Sequence, residues 1–320
     1  MNFLITGVAG FIGFHLAKLL VKEKNKIVGI DNINSYYDVK LKRNRLKKLK
    51  KFKNFFFIKS NIEDKNLFKK LKNVKIDCVI NLAAQAGVRY SFKDPHSYIN
   101  SNVLGHLNIL EIVKKKCIHK FIYASSSSVY GGNKTIPFSV KDRVDSPLSL
   151  YAASKKSCEL ITECYANLFK INCIGLRFFT VYGPWGRPDM ATYIFTKNII
   201  EKKHIDVFNN GKMKRDFTYI DDIVSGILGA IKRKDQNKYH SIYNLGNNNS
   251  ENLMDFIKII ENELSIKAKI NFLPLQQGDV IKTFADIKKS ISDLKFRPKT
   301  KISEGIPKFV KWYKDYHEFR

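Results

Sequence analysis

Residues 3–13 read Phe3-Leu4-Ile5-Thr6-Gly7-Val8-Ala9-Gly10-Phe11-Ile12-Gly13, and their continuation decides the fold. An apolar run leads into three glycines. A helical pattern through Leu16, Leu19 and Leu20 follows, and a second apolar stretch, Ile27-Val28-Gly29-Ile30, ends on Asp31. The order is strand, glycine turn, helix, strand, acid. Such a unit holds a dinucleotide. Bare backbone admits a pyrophosphate, the helix N-terminus supplies N–H donors and a positive dipole, and the acid accepts from the adenosine ribose. Asp31 stands 18 residues beyond Gly13. With no Arg or Lys beside it in the sequence, and with neutral Asn32 next, it favours NAD over NADP, whose 2′-phosphate would meet a carboxylate.

Apolar segments near 3–6, 26–30, 55–59, 77–82, 120–125 and 172–178 alternate with helical patterns near 12–23, 39–51, 64–71, 98–116 and 149–169. That alternation predicts a doubly wound parallel α/β sheet. The rhythm breaks after Gly183-Pro184. Short strands near 217–220 and 241–245 are expected to rejoin the sheet. Residues 1–180, with 216–248 partly rejoining them, read as the dinucleotide-binding domain. Residues 181–320 read as a smaller C-terminal α/β substrate-binding domain.

Lys and Arg number 57 against 29 Asp and Glu, a formal charge of +28. Lysine supplies most of the excess and is spread along the chain, which argues against a nucleic-acid groove but would draw anionic substrates. The densest run, 40–53, reads as a solvated helix whose apolar side carries Leu41, Leu46, Leu49 and Phe52. No apolar run reaches membrane-spanning length, so no membrane partner is expected. The N-terminus lacks a basic leader and the five cysteines form no C-x-x-C pair, which suits a cytoplasmic protein. The histidines show no ligand spacing, so no metal is expected.

Tyr151 and Lys155 form Y-x-x-x-K at a helix start, one turn apart on one face. An ammonium there stabilises a phenolate and makes tyrosine usable as a base. The run Ser125-Ser126-Ser127-Ser128-Val129-Tyr130-Gly131 follows an apolar strand, so its hydroxyls fall at the strand's carboxyl end, where ligands bind in such sheets.

Gly7-x-x-Gly10-x-x-Gly13, Asp31, the serine run, Tyr151 and Lys155 together resemble the extended short-chain dehydrogenase/reductase family, in its nucleotide-sugar epimerase/dehydratase branch, over nearly all of the chain. The resemblance implies a Rossmann-type sheet and NAD. It implies Ser126, Tyr151 and Lys155 as the catalytic set. For the cofactor it implies Gly7, Gly10, Gly13, Asp31, Asn32, Asn61, Ile62, Leu82, Ala83, Ala84, Asn102, Tyr151 and Lys155. Asn61 stands where the family usually has Asp, and Asn81 where it often has His.

Three stretches look most like UDP-glucuronate 4-epimerases: 31–38, 84–91 and Gly183-Pro184-Trp185-Gly186-Arg187-Pro188-Asp189-Met190-Ala191. The implied reaction inverts C4 of a UDP-hexuronic acid, UDP-glucuronate to UDP-galacturonate, through a 4-keto sugar. A UDP-sugar is the implied substrate, held by Arg89, Ser126, Ser127, Ser128, Thr180, Arg187, Arg215 and Asp279. Ser127, Ser128 and Thr180 would receive the carboxylate, Arg187 and Arg215 the diphosphate, and Asp279 the uridine ribose. Relatives usually dimerise through the helices near 98–116 and 149–169, so a homodimer is expected. The alternative within the branch is a 4-epimerase of a neutral or N-acetylated UDP-hexose. Outside it, a redox sensor on the same fold is disfavoured by the intact Ser126, Tyr151 and Lys155.

Overall fold

The computed structural model describes residues 1–234, 238–276 and 278–319. Seven parallel strands form the central sheet: β1 (Asn2–Thr6), β2 (Lys26–Asp31), β3 (Phe55–Lys59), β4 (Cys78–Asn81), β5 (Lys120–Ser126), β6 (Asn172–Phe178) and, later in the chain, β11 (His240–Leu245). Their spatial order is β3-β2-β1-β4-β5-β6-β11. Between them run α1 (Phe11–Lys22), α2 (Val39–Leu49), α3 (Leu67–Leu71), α4 (Pro95–Tyr98), α5 (Gly105–Lys115) and α6 (Leu150–Phe169). Two apolar clusters cover the sheet, one around Phe14, Leu16 and Ile122, the other around Leu4, Leu110 and Phe121. Strands buried on both faces need continuous apolar runs, and β4 and β6 are buried throughout.

The order reverses between β1 and β4, and a crevice opens at the strands' carboxyl ends there. The glycine turn sits at that point. Gly7 adopts φ +70°, and a Cβ on it would lie 2.8 Å from the Ala83 nitrogen. Gly10 caps α1 without any side-chain hydrogen bond, so backbone alone presents the helix's N-terminal amides.

The remaining elements are β7 (Thr180–Tyr182), α7 (Ala191–Ile200), β8 (His204–Phe208), β9 (Lys214–Arg215), β10 (Phe217–Tyr219), α8 (Ile220–Lys232), β12 (Glu251–Asn252), α9 (Leu253–Leu264), β13 (Lys269–Leu273), α10 (Lys288–Leu294) and α11 (Ile302–His317). β11 joins the central sheet beside β6. The stretch near 217–220 does not. The chain leaves the sheet after Phe178, and β10 pairs with β7 in a separate two-stranded parallel ribbon. The helix expected at 98–116 forms without a gap, but its first part is wound differently. A wide π turn, Ile99–Leu104, joins α4 to α5 and carries Asn102. No helix among the described residues is long and apolar enough to cross a membrane.

Gly7→Ala combines a left-handed φ with a backbone collision. It is expected to destabilise the fold by about 2 kcal/mol or more and to lower Tm in thermal unfolding. A wild-type Tm would contradict this account of the turn.

Candidate active site

A cavity of about 440 Å³ lies along the crevice. At one end Gly7, Gly10, Gly13, Asp31, Asn32 and Ile62 line it, with Leu82, Ala83 and Ala84 from the end of β4. Asp31 accepts from the backbone of Ala9 (3.0 Å) and Ile33 (2.8 Å). Burial raises its carboxyl above the usual range, and those bonds and the Lys42 charge oppose the shift. Sequence adjacency left Asp31 without a cation, but α2 supplies one in space. Lys42 is buried, donates to the Asn34 carbonyl (2.8 Å) and side chain (2.5 Å), and is lowered to about 8 by burial. Asn61 is exposed and outside the cavity lining, whereas Ser60, Ile62 and Glu63 line it.

At the middle of the cavity stand Ser126, Ser127, Ser128, Tyr151, Lys155 and Thr180. Ser149 caps α6 by accepting from Ala152 N–H (3.1 Å), which sets Tyr151 in the first turn. Lys155 is buried and donates to the Ala124 carbonyl of β5 (2.8 Å). Ser126 Oγ accepts from Ser128 N–H (3.1 Å) and starts a 3-10 turn through Ser127–Tyr130. The Tyr151 ring meets Tyr98 edge-on at 6.0 Å, and Tyr98 donates to the Ala86 (2.9 Å) and Gly87 (2.5 Å) carbonyls.

Behind this group, Glu159 stands four residues beyond Lys155 on α6. It accepts from Ser125 Oγ (2.6 Å) and takes Arg177 of β6 in a fork of two 2.8 Å bonds. Both charges are buried, and the guanidinium stacks over Tyr130 at 4.8 Å. Removing one partner of such a pair costs about 3–5 kcal/mol.

At the far end Arg215 and Asp279 line the cavity, whereas Arg187 lines it on the cofactor side, within electrostatic reach of Tyr37 and Lys42. Arg215 donates to the Lys214 and Ile281 carbonyls, both at 3.0 Å. Arg89 lies outside the lining, pairs with Asp279 (3.0 Å) and stacks over Phe208 at 4.6 Å. Arg187 is engaged by Asp189 through two nitrogens, and Asp189 in turn accepts from Tyr36 (3.0 Å). Gln277, which precedes Gly278 and Asp279, lies outside the described residues. Asn102 is also set back from the cavity. Its amide accepts from Gln85 N–H (2.8 Å) and donates to Gln85 O (3.0 Å) and Ser154 Oγ (2.9 Å), holding the segment after Ala84 against α6.

The fit to a dinucleotide rests on this geometry: a turn so tightly packed that a Cβ at Gly7, Gly10 or Gly13 would collide with the backbone of Ala83 or Gly7, leaving bare backbone at the cavity, and a buried acid at the end of β2. Of the acids on the cavity wall, among the described residues, Asp31 and Glu63 lie at that end and Asp279 at the other. The centre carries hydroxyls.

A family model described as GDP-mannose 4,6 dehydratase matches residues 4–309. The chain belongs to that family. It is 49% identical to protein CapI of Staphylococcus aureus, covering 99% of this chain and 100% of that protein. It is 43% identical to UDP-glucuronate 4-epimerase 2 of Arabidopsis thaliana, over 99% of this chain and 77% of that one. Its fold superimposes with a TM-score of 0.93 on the UDP-glucuronic acid 4-epimerase of Bacillus cereus, solved in complex with UDP-glucuronic acid and NAD. That match has 36% identity and covers 99% and 100% of the two chains.

In this member of the GDP-mannose 4,6 dehydratase family, sequence reasoning passed over Lys42, Arg45, Glu159 and His106. The helical period does place Lys42 and Arg45 on the buried face with Leu41, Leu46 and Leu49, but the lysine-rich run masks that signal. His106 belongs to a buried chain with a fixed direction. Ala83 N–H donates to Thr6 Oγ1 (3.1 Å), which donates to Asn81 (2.5 Å). The Asn81 amide meets His106 Nδ1 (3.1 Å), and His106 Nε2 meets Thr162 (2.8 Å), which donates to the Cys158 carbonyl (2.7 Å). Asn81 therefore takes its place in this chain with His106 as partner. The proton sits on Nε2 of a neutral ring.

Burial lowers His106 to about 3. The unfolded ring gains a proton below about 6.5, so the stability from the neutral ring is full above that pH and falls as pH drops toward 3. At pH 5.5 the loss is on the order of 1 kcal/mol. His106→Gln is expected to flatten the decline in denaturant stability between pH 7.5 and 5.5. A decline as steep as the wild type's would contradict the assignment.

Proposed function

We propose that the protein is an NAD-dependent isomerase that epimerises UDP-glucuronate at C4. The observation that carries this reading is the meeting of Ser126, Tyr151 and Lys155 with hydroxyls rather than acids, in one cavity with the glycine cradle. The family membership and the 36% identity to an enzyme solved with UDP-glucuronic acid and NAD support it.

A dinucleotide held by the Gly7–Gly13 turn and Asp31 would supply a reversible hydride acceptor for the sugar's C4. The chain's own groups do the rest. Tyr151 accepts the proton of the 4-hydroxyl, with Ser126 bridging, and gives it back when the ketone is reduced. Lys155, fixed by the Ala124 carbonyl, keeps a positive charge beside that proton transfer. The ketone exchanges faces between the two transfers, so hydride returns to the opposite side. Relatives that dehydrate carry Asp-Glu after the catalytic hydroxyl. This chain has Ser127-Ser128, which with Thr180 hydrogen-bond the uronate and hold it where the neighbouring ketone cannot expel carbon dioxide. Arg187 and Arg215 bind the diphosphate and Asp279 the uridine ribose, with Arg89 behind the lining holding the Asp279 carboxylate in place. We assign residues 1–180 chiefly to the cofactor and 181–320 chiefly to the sugar nucleotide, place the enzyme in the cytoplasm, and expect a homodimer through α5 and α6.

Incubation with UDP-glucuronate, followed by NMR of the anomeric and C4 protons, is expected to give UDP-galacturonate, and UDP-glucose is expected to turn over far more slowly. Preferred turnover of UDP-glucose would contradict the assignment. Tyr151→Phe is expected to lower kcat by about 10²–10⁴-fold with bound NAD content unchanged. Activity within about tenfold of the wild type would remove Tyr151 as the base.

A further inference from the structure

Arg45 is fully buried on α2, a helix whose exposed face carries Lys40, Arg43, Lys47 and Lys48. Its four hydrogen-bond acceptors are all neutral. One nitrogen donates to the Ala9 carbonyl of the glycine turn (2.9 Å) and to Tyr37 Oη (2.7 Å). Another donates to the carbonyls of Trp185 (2.5 Å) and Gly186 (3.2 Å). A guanidinium buried without a directly bonded carboxylate is an expensive way to fill a core. What it achieves is positional, since a rigid fork can hold two segments at a fixed separation and a lysine cannot.

The second segment crosses from the other half of the molecule. Residues 183–190 are fastened to the cofactor half at three places. His15 Nε2 of α1 donates to the Pro184 carbonyl (2.9 Å), Arg45 takes the next two carbonyls, and Tyr36 donates to Asp189 (3.0 Å). Trp185 has φ +63°, a left-handed conformation uncommon for a bulky residue. It persists because Phe14, Trp312 and Tyr316 pack the ring at 5.2–5.5 Å while Arg45 holds its carbonyl. Arg187 and Met190 of this segment line the same cavity as Gly7, Gly10 and Gly13, so a dinucleotide on the glycine turn is bounded by it. Arg45 itself does not line the cavity.

The geometry points to Arg45 as the positioning residue of a strap, residues 183–190, that retains the dinucleotide across a catalytic cycle. The inference rests on the reading above, in which hydride leaves the sugar and must return to it. A reduced dinucleotide that escaped between the two transfers would strand a ketone. A strap tied to the glycine turn itself slows that escape without touching the reacting atoms.

The test needs no sugar. Holoenzyme is loaded with NADH, and its dissociation is followed by fluorescence during a chase with excess NAD. Arg45→Met is expected to raise the dissociation rate by about tenfold or more, as the loss of one or two charge-assisted bonds gives. Arg45→Lys, which keeps the charge without the fork, is expected to recover only part of the retention. Ile260→Val loosens the core at α9, away from the strap, and is expected to leave the rate unchanged. A folded Arg45→Met with the wild-type rate overturns the proposal, as does an equal rise in Ile260→Val. If Arg45→Met does not fold, Tyr36→Phe, which removes one exposed hydrogen bond, decides. A rate raised severalfold carries the proposal and an unchanged one overturns it. Failure of the UDP-glucuronate reading would show separately, as no conversion of that sugar by an intact holoenzyme.

Discussion

The attachment of α6 to the carboxyl ends of β5 and β6 is the constraint on which the site depends. Lys155 reaches the Ala124 carbonyl, and one turn later Glu159 joins Ser125 to Arg177. Ser125 and Arg177 are register partners across β5 and β6, so a single carboxylate closes both strands onto the helix. Two successive rungs on one helical face then fix the height of Tyr151 against Ser126. A buried ion pair is a poor source of net stability, but breaking it is costly, so it specifies one arrangement. The chain from Thr6 through Asn81 and His106 to Thr162 ties the cofactor side of the sheet to that same helix.

Charge is distributed in the cavity with a consistent logic. Lys42, Lys155, Arg187 and Arg215 line it, against Asp31, Glu63 and Asp279 near its ends. A net positive lining suits a ligand that carries phosphates and a carboxylate. Among the described residues, the polar groups at its centre are hydroxyls and one ammonium, an arrangement that suits the proposed proton exchange. The overall charge of +28 is a different matter, because most of it lies on dispersed surface lysines.

Much of this was legible in the sequence because parallel strands buried on both faces leave unbroken apolar runs, and because glycine spacing reports backbone approach directly. The six expected strands of the first half appear as β1 to β6, and the residues of the glycine turn, the serine run and Y-x-x-x-K share one cavity. What was hidden depends on tertiary pairing. Nothing local distinguishes Phe217–Tyr219 as the partner of Thr180–Tyr182 rather than of the central sheet. The π turn at Ile99–Leu104 has no periodic signature separate from the helix around it. Lys42 and Arg45 are read as solvent-facing in a lysine run until the fold buries them. Arg187 and Arg215 were identified for the diphosphate by type, but the pairing of Arg89 with Asp279, 190 residues away, and the link from Asp189 to Tyr36 depend on loops that only the fold brings together.

The most direct measurement is the fate of a label at the reacting carbon. With UDP-glucuronate carrying deuterium at C4, a hydride that leaves and returns inside a closed site keeps the label. UDP-galacturonate with deuterium retained at C4, and no release of carbon dioxide, is the expected result. Exchange of that deuterium for solvent hydrogen, or a decarboxylated pentose product, would contradict it.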